Sequence, residues 1–256
     1  MKTKSVGFIG GGRITRIFLQ AFVNHKVEFK SVVVFDTNND VLATLKQKFP
    51  FIETGELLHA ASQHTVFIAL HPPMIMETLD KITNVVSEDT LVISLAPKIT
   101  IEKIASKLKT RNIVRMIPNA TSYINEGFNP VSFSAELSKD DKKSILRLLK
   151  NLGKTFETDE AKLESYAIVS AMLPTYFWFQ WQEMETIATQ TGLSEREARK
   201  AIQISLKKAI RLYFNSGLSP TEVMDLVPVK PIGEQEMQIR EIYQTKLMKL
   251  FGNIKP

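Results

Sequence analysis

The stretch Val6-Gly7-Phe8-Ile9-Gly10-Gly11-Gly12-Arg13-Ile14-Thr15 constrains this chain more than any other. Val6 to Ile9 is a short apolar, β-prone run that predicts a buried strand. Glycines follow, and then Ile14, Ile17, Phe18 and Phe22 recur at helical spacing. Strand, glycine turn and helix together are the setting that a dinucleotide-binding fingerprint needs. Gly10 can take the tight turn. Gly12 lets backbone N–H groups approach a pyrophosphate, and the helix that begins there points its positive end at the phosphates. Thr15 stands where the third fingerprint glycine is expected, a poorer fit than Gly or Ala for close packing of helix on strand. The alternative is a glycine turn that holds no ligand.

The chain of 256 residues is long enough for one large domain or two ordinary ones, and 44% hydrophobic residues allow a sizeable core. It has no cysteine, which excludes disulfides, thiolate zinc sites and cysteine nucleophiles. Neither a metal-ligand cluster nor a serine-nucleophile motif is present, so no metal is expected. Met1-Lys2-Thr3-Lys4 runs straight into the first strand, so no signal peptide is expected. No apolar run reaches the length of a membrane span. A cytoplasmic protein that binds neither membrane nor nucleic acid is the expectation. Net charge is +6, from 33 basic and 27 acidic residues. The lysines are spread over helix-like segments and form no stripe with interleaved aromatics. They read as solvated helix faces, with a mild bias toward anionic small molecules.

Taken in order, Ser31 to Phe35 predicts the second strand, ending at Asp36. Asp36 lies 24 residues after Gly12, where an acidic residue hydrogen-bonds the adenosine ribose. A carboxylate there repels a 2′-phosphate and favours NAD over NADP, whereas Arg13 could reach a phosphate. The alternative role for Asp36 is the N-cap of the following helix. Further strands are expected at Phe49 to Ile52, Thr65 to Leu70, Thr90 to Leu95, Asn112 to Met116, Val131 to Ser134 and, at the sheet edge, Lys154 to Glu157. Helices alternate with them, which predicts a parallel sheet with crossovers. Ligands in such sheets bind beyond the carboxyl ends of the strands. Function is therefore expected in Gly10 to Thr15, Asp36, His71 to Pro73, Ala96 to Lys98 and Pro118 to Thr121.

From Glu160 onward the period is helical. Leu163 to Thr191 reads as one long apolar stretch carrying Tyr166, Tyr176, Phe177, Trp178, Phe179 and Trp181. Aromatics on more than one face imply burial all round, and hence a second subunit; a central helix in a monomeric bundle is the alternative. Ser194-Glu195-Arg196-Glu197 is a capping-box-like helix start, Ser219-Pro220 starts another helix, and a last one is expected from about Gly233 to Leu250. The boundary is placed near residue 158, giving domains 1–158 and 159–256.

Arg115-Met116-Ile117-Pro118-Asn119 matches an Arg-x-Met-Pro-Asn signature with Met and Ile displaced by one place. With the glycine turn, Ser94-Leu95-Ala96, Glu126-Gly127 and Ser170-Ala171-Met172-Leu173-Pro174-Thr175-Tyr176, the chain resembles the pyrroline-5-carboxylate reductase family from about Ser5 to Val227. The resemblance implies an α/β fold, with an N-terminal Rossmann-like doubly wound sheet followed by an all-α helical domain that carries substrate contacts and dimerisation. It implies reduction of a C=N bond with NAD or NADP, and a homodimer, or a higher homo-oligomer, through the helices. Gly10, Gly12, Arg13 and Ile14 would then hold the pyrophosphate, with Asp36 by the ribose. Leu70, His71, Pro72 and Ala96 would lie beside the cofactor, and Asn119 with Pro118 would border the nicotinamide and substrate.

The chain leaves the family pattern in two places. Ala171, Met172 and Leu173 replace small residues of a Ser-Gly-Ser-Gly loop. Pro228 to Gln235 replaces a Gly-Gly-Thr-Thr loop that serves the substrate carboxylate; Lys230 is there either as a substitute charge or as a solvated loop lysine. An imine must be protonated or hydrogen-bonded before it accepts hydride. Ser170, Thr175 and His71 are the candidate donors, with Tyr176 read as a core residue. β-Hydroxyacid dehydrogenases share the two-domain plan but place a catalytic lysine on the long helix. No lysine lies between Lys162 and Lys200, which disfavours that chemistry. The alternative to an enzyme is a dinucleotide sensor or partner-docking protein that kept the cofactor half.

Overall fold

A computed structural model describes residues 4–256. Met1 to Thr3, read above as leading into the first strand, lie outside the described residues. The chain divides into two compact units, 1–171 with 251–256, and 172–250. The boundary expected near residue 158 marks the end of the last strand. The first unit continues further because Leu163 and Ala167 are buried against Ile117, with Ile254 packed on them.

The first unit is built on an eight-stranded sheet of order β3-β2-β1-β4-β5-β6-β7-β8. The strands are β1 Val6–Ile9, β2 Val32–Phe35, β3 Glu53–Thr54, β4 Thr65–Ile68, β5 Leu91–Ser94, β6 Ile113–Met116, β7 Gly127–Phe133 and β8 Gly153–Glu157. Strands β1 to β6 are parallel, with Phe8 beside Val34 and Phe67. β7 runs antiparallel to β6 and parallel to β8. The order 3-2-1-4-5-6 is that of a doubly wound dinucleotide-binding sheet, with its switch point between β1 and β4. Helices α1 Arg13–Asn24, α2 Asn39–Lys48, α3 Leu57–Ala61, α4 Pro72–Ile82, α5 Ile101–Ala105 and α6 Lys139–Leu149 cover the faces.

Alternate strand residues enter two cores. Phe8, Phe18, Phe22, Phe67 and Val114 fill one, and Ile9, Val33, Val66, Ile68 and Ile75 the other. Both faces are covered, so the strands are apolar runs rather than alternating ones. Phe8 stacks on Phe67 with ring centroids 4.8 Å apart.

The expected strand at Phe49 to Ile52 is not one. Phe49 ends α2, and the Ile52 N–H closes a turn on the Phe49 carbonyl. Pro50 cannot donate to a ladder, so pairing begins only at Glu53. The long stretch from Leu163 is also not one helix. It comprises α7 Leu163–Tyr166, a π-helical turn Ala167–Ala171 and α8 Leu173–Gln190. Pro174 sits in the first turn of α8, where no N–H is needed. Tyr166 therefore belongs to the first unit, where it packs on Phe128 and Phe156.

The second unit is helical, with α8, α9 Glu195–Asn215, α10 Pro220–Asp225 and most of α11 Glu236–Ile254. Ser194 caps α9 in a full capping box with Glu197, and Ser219 with Glu222 does the same for α10. Among the described residues no helix is long and apolar enough to cross a membrane.

Candidate functional site

The glycine turn is held from both sides. Gly10 has φ +105°, a conformation that only glycine adopts without strain, and a Cβ there would lie 2.5 Å from the Ala69 carbonyl oxygen. A Cβ on Gly12 would meet nothing within 4 Å, so the space above the turn is open. Gly12 is the N-cap of α1, with no side-chain cap bond and no acid in the first turn. The helix thus turns uncapped N–H groups and its positive end outward. These features fit a pyrophosphate. Thr15 is fully buried, and its hydroxyl donates to the Gly10 carbonyl at 2.5 Å. The threonine therefore ties the turn together, where the sequence suggested only a poorer fit.

Asp36 is half-buried just beyond β2. Its Oδ2 accepts from the Gly11 N–H at 2.7 Å and its Oδ1 from the Asn38 N–H at 2.9 Å. The cap of α2 is Asn38, whose side chain accepts from Asp40 and Val41. The helix-cap role considered for Asp36 is thus filled two residues later, because an Asx turn at Asp36 delays the helix start.

A cleft of about 780 Å³ lies beyond the strand ends, lined by Gly12, Arg13, Ile14, Leu70, His71, Pro72 and Ala96, among others. Gly10 and Asp36 contribute through the turn rather than by lining it. His71 occupies the N-cap position of α4, makes no cap bond through its side chain and is exposed.

Asn119 lies past the end of β6. Its N–H donates to Asn129 Oδ1 at 3.1 Å, and its Oδ1 accepts from the Thr121 N–H at 3.0 Å and hydroxyl at 2.8 Å. Its Nδ2 donates to Ser170 Oγ at 3.3 Å and to the Ser170 carbonyl at 3.4 Å. Asn119 and Ser170 are thus brought together across 51 residues. Ser170 sits in the π-helical turn, a feature frequent at functional sites. Thr175 belongs to the second unit, where its hydroxyl donates to the Met172 carbonyl at 2.6 Å. Tyr176 is in that unit too, its ring 6.1 Å from that of Tyr243, and desolvation pushes its hydroxyl pKa up.

The ion pairs of Arg115 with Glu160 and Glu164 went unnoticed in the sequence. Arg115 is fully buried in β6, with Nη1 2.9 Å from Glu160 Oε1 and Nη2 2.6 Å from Glu164 Oε1. An arginine inside an apolar strand demands a buried acid, and acids four residues apart on the next helical segment were the signal that could have found its partners. Asn129, fully buried on β7, also went unnoticed.

Sheet order, glycine turn and open cleft define the class, a doubly wound dinucleotide-binding protein. Residues 5–98 match the family model for NADP oxidoreductase, coenzyme F420-dependent. The chain is 25% identical over 228 residues to pyrroline-5-carboxylate reductase of Escherichia coli K12, covering 88% of this chain and 84% of that protein. It is 27% identical over 230 residues to the enzyme of that name from Pasteurella multocida, covering 84% of this chain and 81% of that one. Its fold is similar to that of Plasmodium falciparum pyrroline carboxylate reductase with NADP bound, at a TM-score of 0.74, 17% identity and coverage of 99% and 95%. The chain is thus similar in sequence to pyrroline-5-carboxylate reductases over most of its length, and similar in fold to one of known structure.

Proposed function

We propose that this protein is an NAD(P)H-dependent reductase of an imine such as 1-pyrroline-5-carboxylate, or of a related small acid. The observation that carries the reading is the cleft over the glycine turn, on a chain whose likeness to the reductases runs almost end to end. When bound, the reduced nicotinamide supplies a hydride to the imine carbon. The protein's own residues bind, orient and donate. Gly10, Gly12, Arg13 and Ile14 cradle the pyrophosphate, and Asp36 takes the ribose. Leu70, His71, Pro72 and Ala96 form the wall. Ser170 accepts from Asn119 Nδ2, which leaves its own hydroxyl hydrogen for the imine nitrogen; Thr175 and His71 are the other candidate donors.

The cofactor in this reading is NAD or NADP: Asp36 favours NAD, while the Plasmodium relative holds NADP and Arg13 lines the cleft. A homodimer through the helices is part of the same reading. No residue of α8 is buried in one chain, and Phe177, Trp178, Phe179 and Ile187 are exposed. Such an apolar surface marks an interaction site. Nucleotide oxidation by purified protein across a panel of cyclic imines and oxo acids tests the activity. Turnover of one imine is expected; tight nucleotide binding with no turnover on any of them would leave a dinucleotide-binding protein in its place. Sedimentation velocity tests the dimer, and a single monomeric species at micromolar concentration would remove it.

A further inference from the structure

The loop after β5 has a costly backbone. Lys98 has φ +74°, a left-handed conformation that residues with a Cβ rarely adopt. The same loop lines the cleft through Leu95, Ala96 and Pro97. What holds it comes from elsewhere in the first unit. The Lys98 N–H donates to Glu164 Oε1 at 3.0 Å, and the Ile101 N–H donates to Glu160 Oε1 at 2.8 Å. Both carboxylates are in turn held by Arg115, whose Nη2 also reaches the Ala96 carbonyl at 3.5 Å.

This arrangement is poorly suited to stability alone. Buried ion pairs seldom outperform apolar residues of similar volume. Here Arg115 Nε, Glu164 Oε2 and Ser94 Oγ are buried without a hydrogen-bond partner among the described residues, and each such group is costly. Ser94 and Arg115 are register partners on β5 and β6, so Arg115 and Ser94 lie side by side at the foot of the loop. The helical segment that carries the two acids runs on to Ser170, six residues past Glu164.

We propose that Arg115, Glu160 and Glu164 are a positioning clamp, in which Glu164 sets the Ala96–Ile101 loop against the cleft and so governs dinucleotide affinity without touching the dinucleotide. The inference rests on the reading of the cleft as a dinucleotide site. Arg115 is the shared anchor through which the cofactor wall and the segment bearing Ser170 keep one geometry.

Glu164→Gln tests it, since the amide keeps an oxygen for the Lys98 N–H but loses the ion pair, while Arg115 retains Glu160. Three quantities are read: NADH and NADPH dissociation constants by fluorescence titration, the thermal midpoint, and amide exchange at Lys98 and Ile101. The expected result is a midpoint within a few degrees of the parent, faster exchange confined to the loop, and dissociation constants raised about tenfold, equal to about 1.4 kcal/mol. Glu102→Gln, an exposed acid on α5 outside the clamp, leaves affinity unchanged. A folded Glu164→Gln protein with parental affinity overturns the clamp and leaves the cofactor reading intact. Weaker binding matched by faster exchange throughout the sheet also overturns it, as the role would then be structural only. A parent protein that binds neither nucleotide removes the cofactor reading, and the clamp with it. Should Glu164→Gln fail to fold, Glu160→Gln, at a side chain 30% exposed, decides by the same readouts at Ile101.

Discussion

Thr15 occupies the position where a glycine would complete the fingerprint, so its replacement tests what the residue contributes. Its hydroxyl donates to the Gly10 carbonyl at 2.5 Å, and the whole side chain is buried. Thr15→Val keeps the shape and removes the bond. Leaving a buried carbonyl without that partner costs about 1–2 kcal/mol. Thr15→Ser keeps the bond and loses a buried methyl, at about 1 kcal/mol. Thr15→Gly loses both and adds a few tenths of a kcal/mol of helix propensity, for a total of about 3 kcal/mol. The expected order of stability is therefore parent, Ser, Val, Gly, even though glycine is the residue the motif leads one to expect. Urea unfolding followed by a probe of the first unit reads the series, with the m-value held constant as the check that only stability has changed. The same proteins should bind NADH less tightly in the same order, because a looser turn aims its N–H groups less well. A glycine variant as stable as the parent, or a valine variant indistinguishable from it, would refute the argument that the threonine is a tie.

Other outcomes follow from single residues. His64 accepts through Nε2 from the Lys4 ammonium at 2.7 Å, and its pKa is lowered from 6.5 by burial first and then by Lys4, against a smaller opposing pull from Asp89. The unfolded chain therefore takes the proton first, so the contribution of His64 is intact above 6.5 and is lost as pH falls through 6.5 toward the lowered value. Chemical denaturation across that window should show a shallower slope in His64→Gln than in the parent. Lys98→Gly should raise stability by about 0.5–1 kcal/mol, since glycine takes a positive φ without strain; equal or lower stability in a melt would contradict the backbone assignment. Asp36→Ser should move the NADPH-to-NADH affinity ratio toward NADPH by about tenfold, a charge effect of about 1–2 kcal/mol near a phosphate. An unchanged ratio in paired titrations would mean that the ribose does not lie at Asp36.

Much of this molecule is legible in its sequence, and the residues say why. Val6 to Ile9, Thr65 to Ile68 and Leu91 to Ser94 lie in mostly apolar runs with a glycine or proline at their end or a few residues beyond it, and a strand buried on both faces leaves that mark. The capping box at Ser194 was visible because both of its bonds are local. What escaped was non-local. Phe49 and Ile52 are apolar because they anchor a turn, and pattern alone does not separate an anchor from a strand. Tyr166 was assigned to the wrong helix because the π-helical turn changes no hydrophobic period. The bonds of Arg115 to Glu160 and Glu164, and of Asn119 to Ser170, join residues 45 to 51 apart. No window of sequence holds both ends of such a bond.

The sheet's two margins bear on how the protein behaves in concentrated solution. β3 is two residues long, and both Glu53 and Thr54 are exposed. β8 at the other side presents Lys154 and Glu157 to solvent. An open strand with free N–H and C=O groups invites another chain to zip onto it, and short length and outward charge are what discourage that. Growth of this sheet from molecule to molecule is thus blocked at both ends, so crowding should not turn the first unit into fibres by stacking its edges.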